Sequence, residues 1–418
     1  MKVLQFILVV GCWLALAGGA QAQGRITGVV QDSVTHQPLA FASVFLANTT
    51  LGATTTEQGQ FEFLKVPAGT YDVVGSYVGY RLGKQVVTVT NPKAPQEITI
   101  LLGSSGPQLE EVVVQASAHR PEDYKKFSDL FLGQSTFSQQ CEITNPRDIV
   151  VYTNDSTKEL TASAKNFVQV ENQALGYRLK YFGMFFTYNP DTDFVGFSGQ
   201  PVFEEMTPRD AAQQRQWQQN RVAAYTGSFR QFLRSVYNNR LKADGFLTQQ
   251  VRLVPNRRFE LTDSLRRRLQ RRRADGNFTS AERDSLTKWE DAAPVVATLY
   301  PTARPIDSVR YVSADGRHTY LRFTQELQVC HFGEAPDPRY DQAMSTIGPE
   351  PRKSPYPAKR QVSRIRLQGR EAEIQPNGSL RNSSAVSTGE YWGFEKIGEF
   401  LPFDYDPAAA VTATKATP

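Results

Sequence analysis

The sequence predicts an α+β protein in which a small N-terminal β-sandwich precedes a larger domain of antiparallel strands with a long helical segment. Residues 24–102 are short runs rich in Val, Ile, Phe and Tyr that alternate with turn-forming clusters, which is typical of a sandwich. The middle of the chain has apolar residues at helical spacing, and the last third returns to short apolar runs. With 418 residues, 40% of them hydrophobic and 21% charged, the chain is long enough for two domains.

Residues 1–22 have the form of a cleavable signal peptide. Lys2 precedes an apolar core, and residues 20–22 supply the small residues of a cleavage site. The apolar run is too short for a comfortable membrane span. Cys12 lies inside the apolar core, whereas a lipid-modified cysteine would lie at its end. We therefore expect an exported chain that is cleaved near Gln23 and has no transmembrane span afterwards.

The sandwich is predicted from period-two alternation and from the turns between its runs. Within residues 39–46, Ala42, Val44 and Leu46 share one face, and Phe45 lies on the other. Seven strands in a segment of this length fit a two-layer sandwich. The predicted strands are 26–30, 39–46, 54–56, 61–63, 71–80, 86–89 and 98–102.

Five steps of this segment carry a specific resemblance. They are G-x-V-x-D (28–32), QPLAFASV (37–44), T-x-x-x-G-x-F-x-F (55–63), P-A-G-x-Y (67–71) and V-G-Y (78–80). Their order resembles the carboxypeptidase regulatory-like domain, a transthyretin-like sandwich at the N-termini of Bacteroidetes envelope proteins, including TonB-dependent receptors. The resemblance implies a transthyretin/Ig-like sandwich and an envelope location, but it implies no reaction.

Residues 103–120 are predicted to be a linker and residues 121–406 a second domain. Within the linker, residues 109–114 are similar to the segment that joins this sandwich to the plug of TonB-dependent receptors. Such a receptor needs a plug and a large barrel of alternating strands. The rest of this chain instead has strongly helical stretches and a small, polar C-terminus. The sequence therefore argues against a transporter.

The second domain resembles uncharacterised Bacteroidetes proteins that carry the same sandwich followed by a domain of similar length. In that family we expect His where this chain has Gln231, which argues against a catalytic role for this position. The matching steps include FLG-x-S (131–135), C-x-I-x-N-P (141–146), V-E-N-x-A-L-G-Y (170–177), AYTGSFRQFLRSVYNNRL (224–241) and W-G-F-x-K-I-x-x-x-L-P-x-D-Y (392–405).

Helices and one long strand are predicted in the first half of this domain. A helix is expected over residues 122–132. A second begins with Thr207 as its N-cap and Pro208 at its first position. A third carries an apolar stripe over residues 229–241, which is typical of core packing. Residues 175–186 alternate well enough for a long strand.

A charged helical hairpin is predicted over residues 262–290, with Thr279 and Glu282 as a capping box. Its arginines are candidates for binding anionic groups, such as the phosphates of lipopolysaccharide. The alternative is a solvated helix face with acidic neighbours. The candidate residues are Arg266, Arg267, Arg268, Arg271, Arg272 and Arg273.

The last third is predicted to be mainly strands. A long exposed loop is expected over 333–359, and a disordered tail over 407–418. The predicted strands are 295–300, 308–313, 319–324 and 326–332, followed by a hairpin of 361–367 with 370–374.

The net charge of +5 is concentrated in one segment, because eight arginines lie within residues 256–273. Nucleic acid is therefore not an expected partner. After removal of the leader two cysteines remain, Cys141 and Cys330. They can form a disulfide in an oxidising compartment or remain buried thiols.

No motif in the sequence predicts a catalytic, cofactor or metal site. His119 and Glu122 have the H-x-x-E spacing of two zinc ligands, but a zinc peptidase needs a third ligand on a catalytic domain of its own. Neither a G-x-S-x-G elbow nor a P-loop occurs. Cys330 and His331 are adjacent in a predicted strand, so their side chains point to opposite faces and cannot form a dyad.

We therefore expect an exported, non-enzymatic cell-envelope protein without a cofactor, located in the periplasm or at the outer membrane. It would act as a binding or scaffolding module whose partner is an envelope protein or a glycan. The loops 48–51 and 58–60 or the aromatic-rich segment 177–197 would supply the contacts. One alternative is a carbohydrate-binding protein of a polysaccharide-uptake system, and another is a hydrolase in which Cys330, His331 or acidic residues converge.

Overall fold

The structure is a computed structural model that describes residues 23–89, 95–105, 120–256, 267–276, 279–282, 284, 295–345 and 360–407. Several predictions concern residues outside these ranges, namely the signal peptide, most of the linker, the C-terminal tail, His119 and Arg266. Within the described part of the chain, the helices are all too short or too polar to cross a membrane. The predicted α+β class is confirmed.

The N-terminal sandwich has the seven strands that the sequence predicts. They are β1 (Gln23–Asp32), β2 (Ser43–Leu46), β3 (Gly52–Thr54), β4 (Gln60–Pro67), β5 (Gly69–Ser76), β6 (Gly83–Val89) and β7 (Gln96–Leu102). One sheet has the order β4-β1-β7, and the other has the order β3-β2-β5-β6. Strands β1 and β7 are parallel, whereas the other pairs are antiparallel. Val44 and Leu46 lie in the core between the sheets, as the alternation predicts.

The second domain begins with helix α1 (Pro121–Leu132) packed on a six-stranded antiparallel sheet. Its strands are β8 (Cys141–Ile143), β9 (Ile149–Thr153), β10 (Leu160–Ala164), β11 (Phe167–Asn172), β12 (Tyr177–Asn189) and β13 (Phe194–Glu205). The long strand β12 pairs with β11, β10 and β13. Phe127 and Phe131 of α1 are fully buried, and both rings contact Phe186 of β12.

Helices α2 (Ala211–Tyr225) and α3 (Phe229–Tyr237) follow this sheet. The predicted cap at Thr207 is wrong, because the N-cap is Asp210, whose carboxylate accepts a hydrogen bond from the backbone N–H of Gln213 at 2.8 Å. Asp210 has extended backbone geometry, and helical geometry begins only after it. Ser228 is the N-cap of helix α3, and its side chain accepts a hydrogen bond from the backbone N–H of Gln231. The helix buries Phe232, Leu233 and Val236.

The last part of the chain forms a five-stranded antiparallel sheet and a small three-stranded one. The larger contains β14 (Phe246–Pro255), β15 (Val295–Ala303), β18 (Glu326–His331), β19 (Gln361–Leu367) and β21 (Val386–Glu390). The smaller contains β16 (Arg310–Val312), β17 (Thr319–Leu321) and β20 (Ala372–Ile374). Their orders are β15-β14-β18-β19-β21 and β16-β17-β20. Two short helices complete this part, α4 (Tyr340–Ser345) and α5 (Tyr391–Phe394).

The predicted hairpin of residues 361–367 with 370–374 is wrong. Strand β19 pairs with β18 and β21, whereas β20 pairs with β17 in the other sheet. Two neighbouring apolar runs have the same local pattern whether they pair with each other or with distant strands, so the alternation could not distinguish the two arrangements. A turn at Gly316 connects β16 to β17, and Gly316 has a φ of +72°.

The sandwich packs directly on the second domain. Phe45 of β2 stacks on Phe182 of β12 with ring centroids 4.8 Å apart. Ala47, Val74 and Val202 complete this apolar cluster. The face of β2 that is opposite to the sandwich core is therefore an interdomain face and not a solvent face.

Candidate functional site

The candidate site begins at the turn between β11 and β12, which α2 holds in place. Trp217, Asn220 and Arg221 each donate a hydrogen bond of 2.7 Å to a backbone carbonyl of residues 173–175. Gly176 follows with a φ of +69°, and a Cβ there would lie 2.2 Å from a ring carbon of Trp217. The step V-E-N-x-A-L-G-Y is therefore a turn shaped to receive the tryptophan of α2.

Residues 400–406 cross the molecule next to this turn, and we call them the C-terminal strap. The guanidinium of Arg230, on α3, donates hydrogen bonds to three strap carbonyls, those of Pro402, Phe403 and Tyr405, and to the carbonyl of Asn377. Burial lowers the pKa of Arg230 to about 10, so the side chain remains charged at neutral pH. The strap is thus anchored to α3 by one charged side chain.

The other side of the strap is bound to the sandwich. Asp404 accepts hydrogen bonds from the backbone N–H of Thr50, at 3.0 Å, and from its hydroxyl group. The backbone N–H of Phe403 donates to the carbonyl of Asn48 at 2.7 Å, and Thr49 is fully buried. Loop 48–51, which we expected to supply contacts to a partner, is therefore largely covered by the second domain, and Thr50 is its residue that lines the cleft described next.

A cleft of about 400 Å³ lies between these elements and is large enough for a small ligand. A second cavity of about 460 Å³ continues it on the other side of Met206 and Trp217. We call the first cavity the interdomain cleft, because the sandwich, α2 and the strap all contribute to it. It is lined by Thr50, Tyr177, Glu205, Met206, Pro208, Gln214, Trp217, Gln218, Arg221, Pro402, Asp404, Tyr405 and Asp406.

The lining of the interdomain cleft is polar and carries more negative than positive charge. Arg221 is the one basic residue in it, and its guanidinium lies 3.9 Å from the ring centroid of Tyr177 and 3.1 Å from a carboxylate oxygen of Glu205. Asp404 and Asp406 add two further carboxylates. The buried hydroxyl of Tyr405 has no hydrogen-bond partner among the described residues, and burial raises its pKa to about 12. The cleft therefore offers several carboxylate acceptors, whereas the Tyr405 hydroxyl is not exposed in it.

Of the two states left open for Cys141 and Cys330, the structure has the free thiols. Cys141 lies on β8 of the six-stranded sheet, and Cys330 lies on β18 of the five-stranded sheet. Burial raises the pKa of both thiols, to about 12 for Cys141. Both are therefore protonated at neutral pH, which makes them poor nucleophiles.

Cys330 and His331 belong to separate environments, as their adjacency in a strand predicts. The sulfur of Cys330 lies 3.9 Å from the side-chain oxygen of Gln249. His331 packs on Phe246 with ring centroids 4.7 Å apart, and burial lowers the pKa of its imidazole. Its Nδ1 atom is buried without a hydrogen-bond partner in the described part of the chain. The structure does not bring the cysteine and the histidine together as a nucleophile and its base.

A group of carboxylates lies around the W-G-F-x-K-I step (392–397). No motif in the sequence indicated this group. Burial raises the pKa values of Glu334 and Glu399 to about 7. Burial also raises the pKa of Glu395 well above its ordinary value, and the negative charge of the neighbouring Glu399 raises it further. Asp337 accepts hydrogen bonds from Thr136. Among the residues that the structure describes, no three acidic, histidine or cysteine side chains are arranged to hold a metal ion.

The predicted anion-binding arginines lie on a helical segment, 267–274, whose side chains are mostly exposed. Arg272 forms an ion pair of 2.7 Å with Glu282. Glu282 also accepts hydrogen bonds from the N–H and hydroxyl of Thr279, which confirms the predicted capping box and lowers the pKa of Glu282. Leu269 is buried.

The sequence did not identify the residues of the cleft as a site, although some residues in and around it lie in the sequence steps quoted above. Arg230 and Asp404 fall within two of the sequence steps quoted above, 224–241 and 392–405. Gln231, beside Arg230, has a local role, because its side-chain oxygen accepts a hydrogen bond from the backbone N–H of Gly227. Trp217 lies on a helix rich in Gln and Ala whose pattern gives no marked apolar face. Only the fold brings these positions together.

Comparison with known proteins supports the N-terminal assignment. Residues 26–114, about a fifth of the chain, match the family described as CarboxypepD_reg-like domain. The sandwich described above occupies the same part of the chain, so this portion is a CarboxypepD_reg-like domain. No curated protein matches the chain.

Similarities to solved structures are weak. A group B streptococcus pilus 2b backbone protein is 20% identical over 20% of this chain and 41% of its own, with a TM-score of 0.18. A candidate carbohydrate-binding protein from Pseudomonas aeruginosa is 17% identical over 21% of this chain and 93% of its own, with a TM-score of 0.17. A chain of a cohesin–X–dockerin complex of Acetivibrio cellulolyticus is 25% identical over 27% of this chain and 76% of its own, with a TM-score of 0.18.

The first three matching chains are pilins. The similarity covers 41%, 31% and 47% of their lengths, which is less than half of each. TM-scores of 0.17 and 0.18 do not define a shared overall fold. These structures therefore add no argument about what the chain binds.

Proposed function

We propose that this protein is an exported, non-enzymatic binding module of the cell envelope that holds its ligand in the interdomain cleft. The observation that carries the proposal is the construction of the cleft, in which Thr50 of the sandwich and the strap residue Asp404 meet the side chains of α2. Ligand sites occur preferentially where domains meet. The leader-like residues 1–22 and the CarboxypepD_reg-like domain support an envelope location.

The cleft has no Cys or His side chain in its lining, which argues against a thiol- or histidine-based catalytic relay there. Its lining contains carboxylates, amides, Thr50, aromatic rings and Arg221, and neither Cys nor His is among them. Arg221 is already bonded to the turn carbonyls and to Glu205. Such a lining can orient a polar ligand through hydrogen bonds.

Photocrosslinking tests the proposal in cells. Gln218 lines the cleft, whereas Gln216 of the same helix is exposed and does not belong to the lining. With a photoreactive phenylalanine at position 218, we expect a covalent adduct with an envelope component after irradiation, and none with the same residue at position 216. Equal labelling at both positions, or a protein found only in the cytoplasmic fraction, would contradict the proposal.

A neutral glycan is the second candidate ligand, because the cleft combines hydroxyl-accepting carboxylates with aromatic rings. Sugars present many hydroxyl donors and apolar ring faces, and the half-buried ring of Tyr405 offers a surface of the matching kind. The excess of carboxylates over Arg221 disfavours anionic polysaccharides. This arrangement would suit a carbohydrate-binding protein of a polysaccharide-uptake system.

Calorimetric titration with xylan, mannan and a β-glucan tests the glycan, with polygalacturonate as the anionic comparison. Tyr405→Ala removes the half-buried aromatic ring of the cleft and is expected to weaken glycan binding by about fivefold. Tyr152→Ala, at an exposed tyrosine of β9, is the matched control and should bind as the wild type does. Failure of all three neutral glycans excludes this ligand class, and an adduct at position 218 would still support a binding role.

A further inference from the structure

The outer end of the β14–β15 pair is a ribbon with both faces exposed. Residues 252–255 pair with residues 295–298 beyond the point where β14 leaves the core. Eight of the nine residues of β15 are exposed, with Leu299 partly buried. Several of the side chains that reach solvent are large and apolar. They are Leu253, Val295, Val296 and Tyr300, with exposed fractions of 36%, 45%, 40% and 40%.

The basic helical segment, 267–274, lies in the chain between the two strands of this ribbon. Pro255 pairs with Val295, so both connections to the intervening residues start from the same end of the ribbon. We call the described residues of 252–255, 267–284 and 295–300 the arm. The arm contains six arginines and three carboxylates, and Arg252 lies 5.0 Å from the ring centroid of Tyr300.

The exposed arginines are not all neutralised within the arm. Arg272 is held by Glu282. The side chains of Arg271 and Arg273 are exposed and form no ion pair with the described residues, whereas Arg268, also exposed, lies close enough to Glu282 to help lower the pKa of that carboxyl. A basic surface of this kind complements an anionic partner.

We infer that the arm binds the surface of an anionic lipid membrane. A soluble polyanion would use the arginines and leave the apolar side chains of the ribbon in water. A membrane interface accommodates both, since apolar side chains enter the region between headgroups and acyl chains while arginines contact lipid phosphates. Tyr300 is of a type enriched at such interfaces. This contact is independent of the interdomain cleft, because the arm shares no lining residue with it.

Vesicle flotation with the full-length protein tests the inference. The probes are vesicles of phosphatidylcholine alone and vesicles that also contain phosphatidylglycerol. We expect binding only to the second kind, and less of it at high salt. The variant Arg268→Glu/Arg271→Glu/Arg273→Glu should weaken this binding by at least about a hundredfold, because each basic side chain near an anionic surface contributes about fivefold.

A charge-matched control distinguishes the arm from the overall charge of the protein. Arg81→Glu/Arg147→Glu/Arg370→Glu changes the net charge equally at exposed positions elsewhere, and it should bind vesicles as the wild type does apart from a small general loss. Equal loss in both triple variants would overturn the inference, as would equal binding to phosphatidylcholine alone.

The apolar part of the arm has its own test. Val295→Ser/Val296→Ser is expected to lower vesicle binding by about tenfold, since each side chain loses apolar surface that lipid would cover. The same variant should bind soluble polyphosphate as tightly as the wild type. If the wild type binds polyphosphate but not phosphatidylglycerol vesicles, or if the serine variant binds vesicles normally, the arm is not a membrane-binding surface.

Discussion

Replacing Arg230 with Ala is expected to release the C-terminal strap. The guanidinium makes four hydrogen bonds to backbone carbonyls, of which three belong to the strap. A hydrogen bond that involves a charged group contributes about 1.5–3 kcal/mol, but four bonds on one group are not additive. We expect the free energy of unfolding to fall by about 4 kcal/mol, because the carbonyls lose these partners and a buried cavity replaces the side chain.

Two assays check this prediction. Urea unfolding followed by tryptophan fluorescence gives the stability. Limited chymotrypsin digestion reports release of the strap through cleavage after Phe403 or Tyr405. Arg230→Lys should recover less than half of the loss, because an ammonium group cannot reach carbonyls on several sides as the guanidinium fork does.

Arg234 provides the matched control. It lies one turn further along α3, and its side chain forms no hydrogen bond or ion pair with the described residues. Arg234→Ala should change stability by less than about 0.5 kcal/mol and leave the digestion rate unaltered. Similar losses in both variants would refute the role assigned to the Arg230 guanidinium.

Three further predictions concern pH, the domain interface and the thiols. The pKa of Glu399 is raised by burial from 4.5 to about 7, so the folded state binds its proton more tightly and is destabilised as the pH rises from 4.5 through 7. Glu399→Gln should therefore be more stable than the wild type at pH 8, by about 3 kcal/mol, and no more stable below pH 4.5 in urea titrations; equal differences at both pH values would contradict this. Phe45→Ala removes the ring stacked on Phe182. It should lower the free energy of unfolding by about 3 kcal/mol and separate the calorimetric unfolding of the sandwich from that of the second domain. Phe41→Ala, at an exposed position, should do neither. The intact mass of the mature chain should not change on reduction, since Cys141 and Cys330 are free; a gain of two hydrogen atoms would contradict this.

Local pattern predicted the sandwich well because each of its strands has one face in a single core. Val44 and Leu46 are buried in that core, as the alternation requires. The same alternation could not predict the environment of Phe45, because a residue on the outer face of a sheet has the same sequence pattern beside solvent as beside another domain. Its contact with Phe182 joins positions that are far apart in the chain.

The cleft was beyond sequence reasoning for a related reason. Thr50 and Asp404 are 354 positions apart, and their hydrogen bonds exist only because both domains have folded. The amino acids themselves are ordinary in loops, so neither position stands out. By contrast, the capping box of Thr279 and Glu282 was predicted correctly, because a separation of three residues fixes its geometry within one helical turn.

The strap attaches the sandwich to the second domain beside the interdomain cleft. Asp404 is fixed to the sandwich through Thr50, while the carbonyls on either side of Asp404 are fixed to α3 through Arg230. A displacement of the sandwich relative to α3 must therefore break one of these attachments or carry the strap with it. Because Asp404 and Tyr405 also line the interdomain cleft, the same displacement would alter the cleft. If the cleft binds a ligand, as we propose, binding and the relative position of the two domains would be coupled through residues 402–405, and a ligand that contacts Asp404 would stabilise their association.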